Sequence, residues 1–450
     1  MGIHLSKKLA LKPFYGLLIL SASIGAANAE TIKQAIQTTI YSNPEILINA
    51  KQRLASDEGI ANAWGGFLPK VDLNAGYGRE RSKNVNTNFN YASLWRQELG
   101  ITARQMLFDG FATYNEVKRN MAKSDADAYQ VWGTAEDMGL AAAEAYINVL
   151  RTQEIVAAAE DNLAAHQRTF GMIEKLGESG LGREADTTQS QGRLDLARAN
   201  LYAAKSDYRA AVTQYLKIVG HEPSILGNPH ESGTVSLPRN MDAAVSQALA
   251  NHPILKSAEN DIKEARAQYN TSLSANYPRL DLVLGSTKNR NLDGSIGADY
   301  DTSAMLQLQY NLFRGGSDMA KQRENAYLIQ KAVEIRNRTY RQVIEKMRLS
   351  WTAYQISQSR MPSLRGHQGS SSQTLGAYRQ QFQLGKRTLL DLLDSENEHF
   401  SARKDYINGR YDVIDAKYRI LNAEGKLLPY FRIPLPPEAT PCHQSKLRCV

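Results

Sequence analysis

The sequence predicts an α+β membrane protein made of two tandem copies of one unit, each with a pair of β-strands leading into a long helical hairpin. Three observations predict it. The chain repeats itself at a nearly constant offset. Within each copy the hydrophobic period switches from helical to alternating and back, and long proline-free stretches follow the alternating runs.

The first 29 residues read as a secretory leader. They carry Lys7, Lys8 and Lys12 without an acid, then an apolar run from Phe14 to Leu20, then small residues ending in Ala27-Asn28-Ala29. That order marks an exported chain, and the apolar core is too short to span a bilayer. Cleavage after Ala29 would leave Glu30 first, and without a cysteine there no lipid anchor is expected. Setting the leader's three lysines aside leaves 51 Lys+Arg against 46 Asp+Glu, a formal charge of +5 rather than +8. So weak and dispersed an excess gives no ground for nucleic-acid binding. Beyond the leader no apolar stretch approaches the length of a transmembrane helix.

The duplication orders the rest. AIQTTIYSNPEI, running through Asn43-Pro44, returns in mid-chain as AVSQALANHPIL, running through His252-Pro253. An offset of 209 pairs Ile36 with Val245, Pro44 with Pro253, Pro69 with Pro278 and Asp72 with Asp281. After a loop four residues shorter in the second copy the offset becomes 205. It then pairs Phe108 with Phe313, Gly110 with Gly315, Asp186 with Asp391 and Gly220 with Gly425. One indel across nearly the whole unit marks a duplication, with a period far beyond that of solenoid repeats. The expected units are 30–228 and 229–429, with a tail over 430–450.

Each unit opens on a helical pattern, over 32–65 in the first copy. Pro69 stops it, and Val71, Leu73, Ala75 and Tyr77 then alternate with Asp72, Asn74, Gly76 and Gly78. A polar loop follows. In the next alternating run Leu99, Ile101, Ala103 and Leu107 share one face, and Glu98, Gly100, Thr102 and Arg104 the other. The second copy repeats this with Leu280, Leu282 and Leu284, then Ala304, Leu306, Leu308, Tyr310 and Leu312. A pair of such strands suits a soluble hairpin covered by helices. Export, and the lack of any soluble β-domain, turn the balance to a transmembrane wall, apolar outside and polar inside.

Gly110 and Gly315 mark the strand-to-helix turns. No proline then occurs from about Thr113 to Lys175, or from Ser317 to Arg360. The returning helix shows a heptad: Leu194, Leu201, Tyr208 and Tyr215, interleaved with Ala197, Ala204, Ala211 and Ile218. The second copy offers Ala402, Tyr406, Val413, Ala416, Ile420 and Ala423. Alanine in one seam implies close, coiled-coil-like packing. The Ser- and Gly-rich segment 361–373, with Pro362, is expected to interrupt or bend the second long helix.

Four strands cannot close a barrel, and open sheet edges are not tolerated in lipid, so the chain must multiply. Twelve strands from a trimer or eight from a dimer would both do. Here the chain resembles the TolC family of outer-membrane efflux proteins, over essentially all of the mature chain to about Pro429. The resemblance is carried by Asn43-Pro44, LPKVDL and YPRLDL, MLFDG and NLFRGG, and the turns ESGLGREAD and QLGKRTLLDLLD. ELGITARQMLFDG, DNLAAHQR and ESGLGREAD look more like pores of type I secretion systems that export large repeat-rich adhesins. The resemblance implies a homotrimer with a twelve-stranded barrel in outer-membrane lipid, continued by a periplasmic α-helical barrel. Its far tip would meet a periplasmic adaptor and an inner-membrane ABC transporter, and the cargo would be a secreted protein.

The resemblance also assigns residues. Asp391 and Asp394 would lie on the inner face of the second hairpin, three apart and so on one helical face. Threefold symmetry would make them two carboxylate rings, which favour cations and can be blocked by them. Arg387 opposite Asp186 would latch the closed state, and Phe382 stands where the family often has a tyrosine. Read without the family, an Asp or Arg beside a turn is usually a solvated cap. The turns Gly180-Leu181-Gly182 and Leu384-Gly385-Lys386 are candidates for adaptor docking, and turn chemistry explains their glycines equally well.

Enzyme readings find no support, since HExxH, GxSxG, a phosphate-binding GxxxxGK[ST] and metal-spaced Cys/His clusters are all missing from the sequence. No cofactor and no structural metal are expected. Surface roles are expected for the histidines, His166 and His399 on helices and His221, His230, His252 and His367 near breaks. Cys442 and Cys449 could pair in an oxidising compartment, though one terminal pair is no folding framework. Two alternatives stay open: the outer duct of a multidrug efflux pump, and a periplasmic coiled-coil scaffold without a pore.

Overall fold

The computed structural model describes residues 29–229 and 237–442. The first copy runs α1 (Ile32–Ser42), α2 (Pro44–Trp64), β1 (Lys70–Ser82), β2 (Ala92–Phe108), α3 (Ala112–Glu178) and α4 (Glu184–Val219). The second repeats that order as α5 (Met241–Asn251), α6 (Pro253–Ser272), β3 (Arg279–Arg290), β4 (Ala298–Gln309), α7 (Ser317–Gln383) and α8 (Leu389–Ala423). A short helix, α9 (Leu427–Tyr430), follows.

The single helix expected over 32–65 is therefore two. Proline disfavours a helical residue before it, and Asn43 is extended at φ −71°, ψ 126°. Its side chain accepts from the Glu45 N–H at 3.0 Å, capping α2, and donates to the Ile218 carbonyl at 3.0 Å, which ties the break to the end of α4. His252 before Pro253 repeats the break, at φ −60°, ψ 121°.

The four strands form one antiparallel sheet in the order β1-β2-β3-β4. Leu73 lies opposite Ile101, Ala103 opposite Leu284 and Leu282 opposite Leu306, so one face carries the apolar set. Asn74 opposite Gly100, Thr102 opposite Gly285 and Asp281 opposite Gln307 make the other face polar. Strand β4 ends at Gln309, so Tyr310 and Leu312, expected on the strand, lie beyond it. Among the described residues, β1 and β4 each keep one edge without a partner.

Helices α3 and α7 have 67 residues each, about 100 Å at the usual rise. The predicted seams are inside: Leu194, Ala197, Leu201, Ala204, Ala211 and Tyr215 are buried on α4, and Ala402, Ala416, Ile420 and Ala423 on α8. Helix α7 runs unbroken across 361–373, contrary to the expected interruption, with Pro362 inside it. Packing accounts for this. A methyl group on Gly409 of α8 would lie 2.5 Å from Leu364 Cδ1 and 3.2 Å from Met361 Sδ, so α8 presses close on α7 where the proline removes a hydrogen bond.

The main core gathers Ile36, Ile40, Tyr146, Tyr215, Tyr411 and Leu427 from both copies. Part of the expected tail belongs to the folded body, because Phe431, Ile433, Ala439 and Cys442 are buried. Glu136, buried on α3, accepts from the Leu427 N–H at 2.9 Å and so caps α9. The Cys442 N–H donates to Asp125 Oδ1 at 2.6 Å. The leader to residue 28, His230 and Cys449, with any pairing that Cys449 makes, lie outside the described residues. Among the described residues no helix is long and apolar enough to cross a membrane.

Candidate functional site

Both long helices end in the same way. Leu181 N–H reaches the Leu176 carbonyl at 3.0 Å and Gly180 N–H the Gly177 carbonyl at 3.0 Å. At the other hairpin Lys386 N–H reaches Gln381 at 2.8 Å and Gly385 N–H reaches Phe382 at 2.9 Å. These are two Schellman motifs, and each needs a left-handed residue: Gly180 at φ +75° and Gly385 at φ +69°. Gly182 has a different reason, since a Cβ there would lie 2.7 Å from the Gly177 nitrogen. Turn chemistry thus explains the three glycines. It does not explain Leu181 and Leu384, 82% and 70% exposed, or the exposed Lys386.

The two tips touch. Ile173 of α3 packs with Leu389 and Leu393 of α8, and Phe382 lies half-buried against them. Where a tyrosine would offer a hydroxyl, Phe382 makes an apolar contact between hairpins.

The gate candidates have partners. Asp391 closes a capping box: the Thr388 N–H donates to Oδ2 at 3.4 Å and the Thr388 hydroxyl accepts from the Asp391 N–H at 3.2 Å, while that hydroxyl also donates to Oδ2 at 2.8 Å. That hydroxyl, and Arg387 at 3.6 Å, hold the Asp391 carboxyl below the usual aspartate value. Asp394 is ion-paired with Arg193, which reaches across from α4. Arg387 donates to Gln381 Oε1 at 3.0 Å and lies 4.1 Å over the Tyr378 ring. Within one chain it does not meet Asp186, whose N–H bonds the Arg183 carbonyl in the first turn of α4. The expected pair is not brought together by a single copy.

Sequence reasoning missed Arg193 and the cluster behind it. Glu396 is 3% exposed, and Thr169, His166 and Arg379 approach it at 3.3, 3.3 and 3.4 Å. Burial raises the Glu396 carboxyl above its usual value and pushes His166 down to about 4, with Arg193 and Arg379 adding to the latter. His166 and His252 are buried, which corrects the surface role expected for them. An open cavity of about 320 Å³ beside the cluster is lined by Arg168, Arg379, Glu396, His399 and Arg403. The signal available in the sequence was divergence between copies. At the 205 offset Gln189 of α4 stands opposite Asp394 and Glu398 of α8 opposite Arg193, so the duplication does not repeat the pair with its partners exchanged. Among the described residues no group of three or more His, Cys, Asp or Glu side chains is placed to hold a metal.

Comparison with known proteins bears on the chain as a whole. The family model described as outer membrane efflux protein matches twice, over residues 35–221 and 244–426. The two starts differ by 209 and the two ends by 205, the offsets of the internal duplication. The chain is 24% identical over 377 residues to the outer membrane efflux protein BepC of Brucella suis, covering 83% of this chain and 80% of that one. To the outer membrane protein TolC of Escherichia coli it is 25% identical over 406 residues, covering 86% and 80%. The proteases secretion protein PrtF of Dickeya chrysanthemi is 22% identical over 406 residues, with 86% of each chain covered. The crystal structure of the outer membrane protein VceC of Vibrio cholerae superposes with a TM-score of 0.74 at 17% identity, over 88% of this chain and 96% of that one.

Proposed function

This chain belongs to the outer membrane efflux protein family, and on that footing we propose that three copies close into one duct, the outer-membrane component of a type I secretion system. The observation that carries the duct is the sheet. It has an apolar face, a polar face and two edges without partners. Lipid tolerates no open edge, so β4 of one copy pairs with β1 of the next, and three copies give twelve strands. The long helices continue the wall into the periplasm. Leu181, Leu384 and Lys386, exposed at the tips, are the surface offered to a periplasmic adaptor and the inner-membrane ABC transporter behind it.

At the same tips Asp391 and Asp394 form the aperture, two stacked rings of carboxylates under threefold symmetry. Arg387 and Asp186 do not meet within one copy; a latch between them would join neighbouring copies, with Phe382 packed at the tip beside it.

The relative named for protease secretion favours a protein cargo. The relative named for efflux favours a second reading, the outer duct of a multidrug pump, with the same architecture and another partner. Deletion of the gene separates them. Loss of a large secreted protein with unchanged drug susceptibility is the expected result, and the reverse would overturn the secretion reading. A mature protein that needs no detergent and shows no heat-modifiable trimer would overturn the duct itself.

A further inference from the structure

We propose that Arg193 is the resident counter-cation of the aperture: it occupies Asp394, tethers α8 to α4, and must be displaced before the aperture opens or a divalent cation binds. The inference rests on the aperture reading of Asp394 given above.

The start of α8 is held at two levels. Deeper in, the buried Glu396 accepts from Thr169 of α3 and from Arg379 of α7, with His166 beside it. Nearer the tip, Asp394 is held by Arg193 alone, with side-chain exposures of 55% and 28%. The inner contact fixes α8 and the outer one can be released, because an exposed ion pair is weak and water competes for it.

The two gate acids also differ. Asp391 is held by residues of its own turn, Thr388 and Arg387, so its contacts travel with the tip. Asp394 is held from the other hairpin, so its contact breaks when the hairpins part. The exchanged pair does not exist, because the equivalent positions are Gln189 on α4 and Glu398 on α8. Under threefold symmetry three guanidinium groups stand against three carboxylates. A divalent cation entering that ring competes with a cation already in place.

The test uses the purified trimer in planar bilayers, with Mg²⁺ titrated from the periplasmic side. R193Q is expected to lower the Mg²⁺ concentration that halves the current by about fivefold, the factor that one exposed ion pair can supply, and to raise the conductance without Mg²⁺. R193K, which keeps the charge, is expected to restore both values most of the way. If D394N weakens the block but R193Q behaves as the unmodified protein, the aperture stands and the role of Arg193 is overturned. An R193K shift as large as that of R193Q also overturns it, since shape rather than charge would then matter. If D394N leaves the block unchanged, the aperture reading falls and the role of Arg193 with it.

Discussion

A methyl group on Gly182 would lie 2.7 Å from the Gly177 nitrogen and 2.9 Å from its Cα, both backbone atoms that cannot swing aside. Gly182→Ala is therefore expected to open the first hairpin turn. Gly180→Ala meets no atom within 4 Å and suffers only from its φ of +75°, a penalty of about 1–2 kcal/mol. Hydrogen exchange at the tip of α3 would rank them, and equal protection in the two variants would refute the steric account. Glu136 gives a residue-scale prediction of another kind. Burial pushes its carboxyl up to about 8, against the pull of the Leu427 and Leu428 N–H groups. A carboxyl raised in the folded state contributes stability that is complete below 4.5, its ordinary value, and is lost as pH rises through about 8. Glu136→Gln keeps an acceptor for α9 but does not titrate. Its melting temperature relative to the unmodified protein should thus be higher at pH 9 than at pH 5, and a pH-independent difference would show that Glu136 stays ionised. Such sites are hidden in a sequence. Glu136 and Leu427 are 291 residues apart, and nothing in the local pattern around either names the other.

At the scale of elements, the two return helices start differently. Helix α8 has Thr388 in a reciprocal capping box, whereas Arg183 before α4 makes no side-chain cap. Thr388→Ala should destabilise the first turn of α8 by about 1 kcal/mol, while Arg183→Ala leaves the first turn of α4 nearly unchanged. Amide exchange in those two turns checks this, and a similar response in both would deny the capping box its role. The T-x-x-D spacing is present in the sequence, where a cap beside the turn stands as the reading of Asp391 without the family, and the capping box is that cap. Most other elements could be read directly. The alternation of Leu99, Ile101 and Ala103 and the heptad from Leu194 to Tyr215 report periodicity, which local sequence carries. The failures came where packing opposed local preference. Pro362 argues for a break, yet α7 continues through it where α8 lies close at Gly409. Asn43-Pro44 was recognised as a repeat marker, but its cap and its bond to Ile218 divide one expected helix into two.

At the scale of the molecule, the question is which face of the sheet meets lipid, and neighbouring positions on β4 answer it. Leu306 stands opposite Leu282 on the apolar face, and Ser303 stands opposite Gly285 on the polar face. In a closed barrel an arginine on the lipid face costs roughly 2–4 kcal/mol near the bilayer midplane, and far less where it faces water. Three copies multiply the difference. Leu306→Arg is therefore expected to abolish the heat-modifiable oligomer in outer-membrane extracts, while Ser303→Arg retains it and alters conductance instead. The opposite pattern would mean that the sheet is turned inside out, and tolerance of both would remove it from the membrane. Alternation told the faces apart but could not say how many copies close the ring, because β1 and β4 end in edges whose partners lie outside the chain. One copy holds the wall, the tip and the Arg193–Asp394 tether, whereas a contact between Arg387 and Asp186 needs a neighbour. If the proposed latch joins copies, a variant that dissociates the barrel should lose it and keep the tether. Exchange at the tips of a dissociated Leu306→Arg chain would then still show α8 protected against α4.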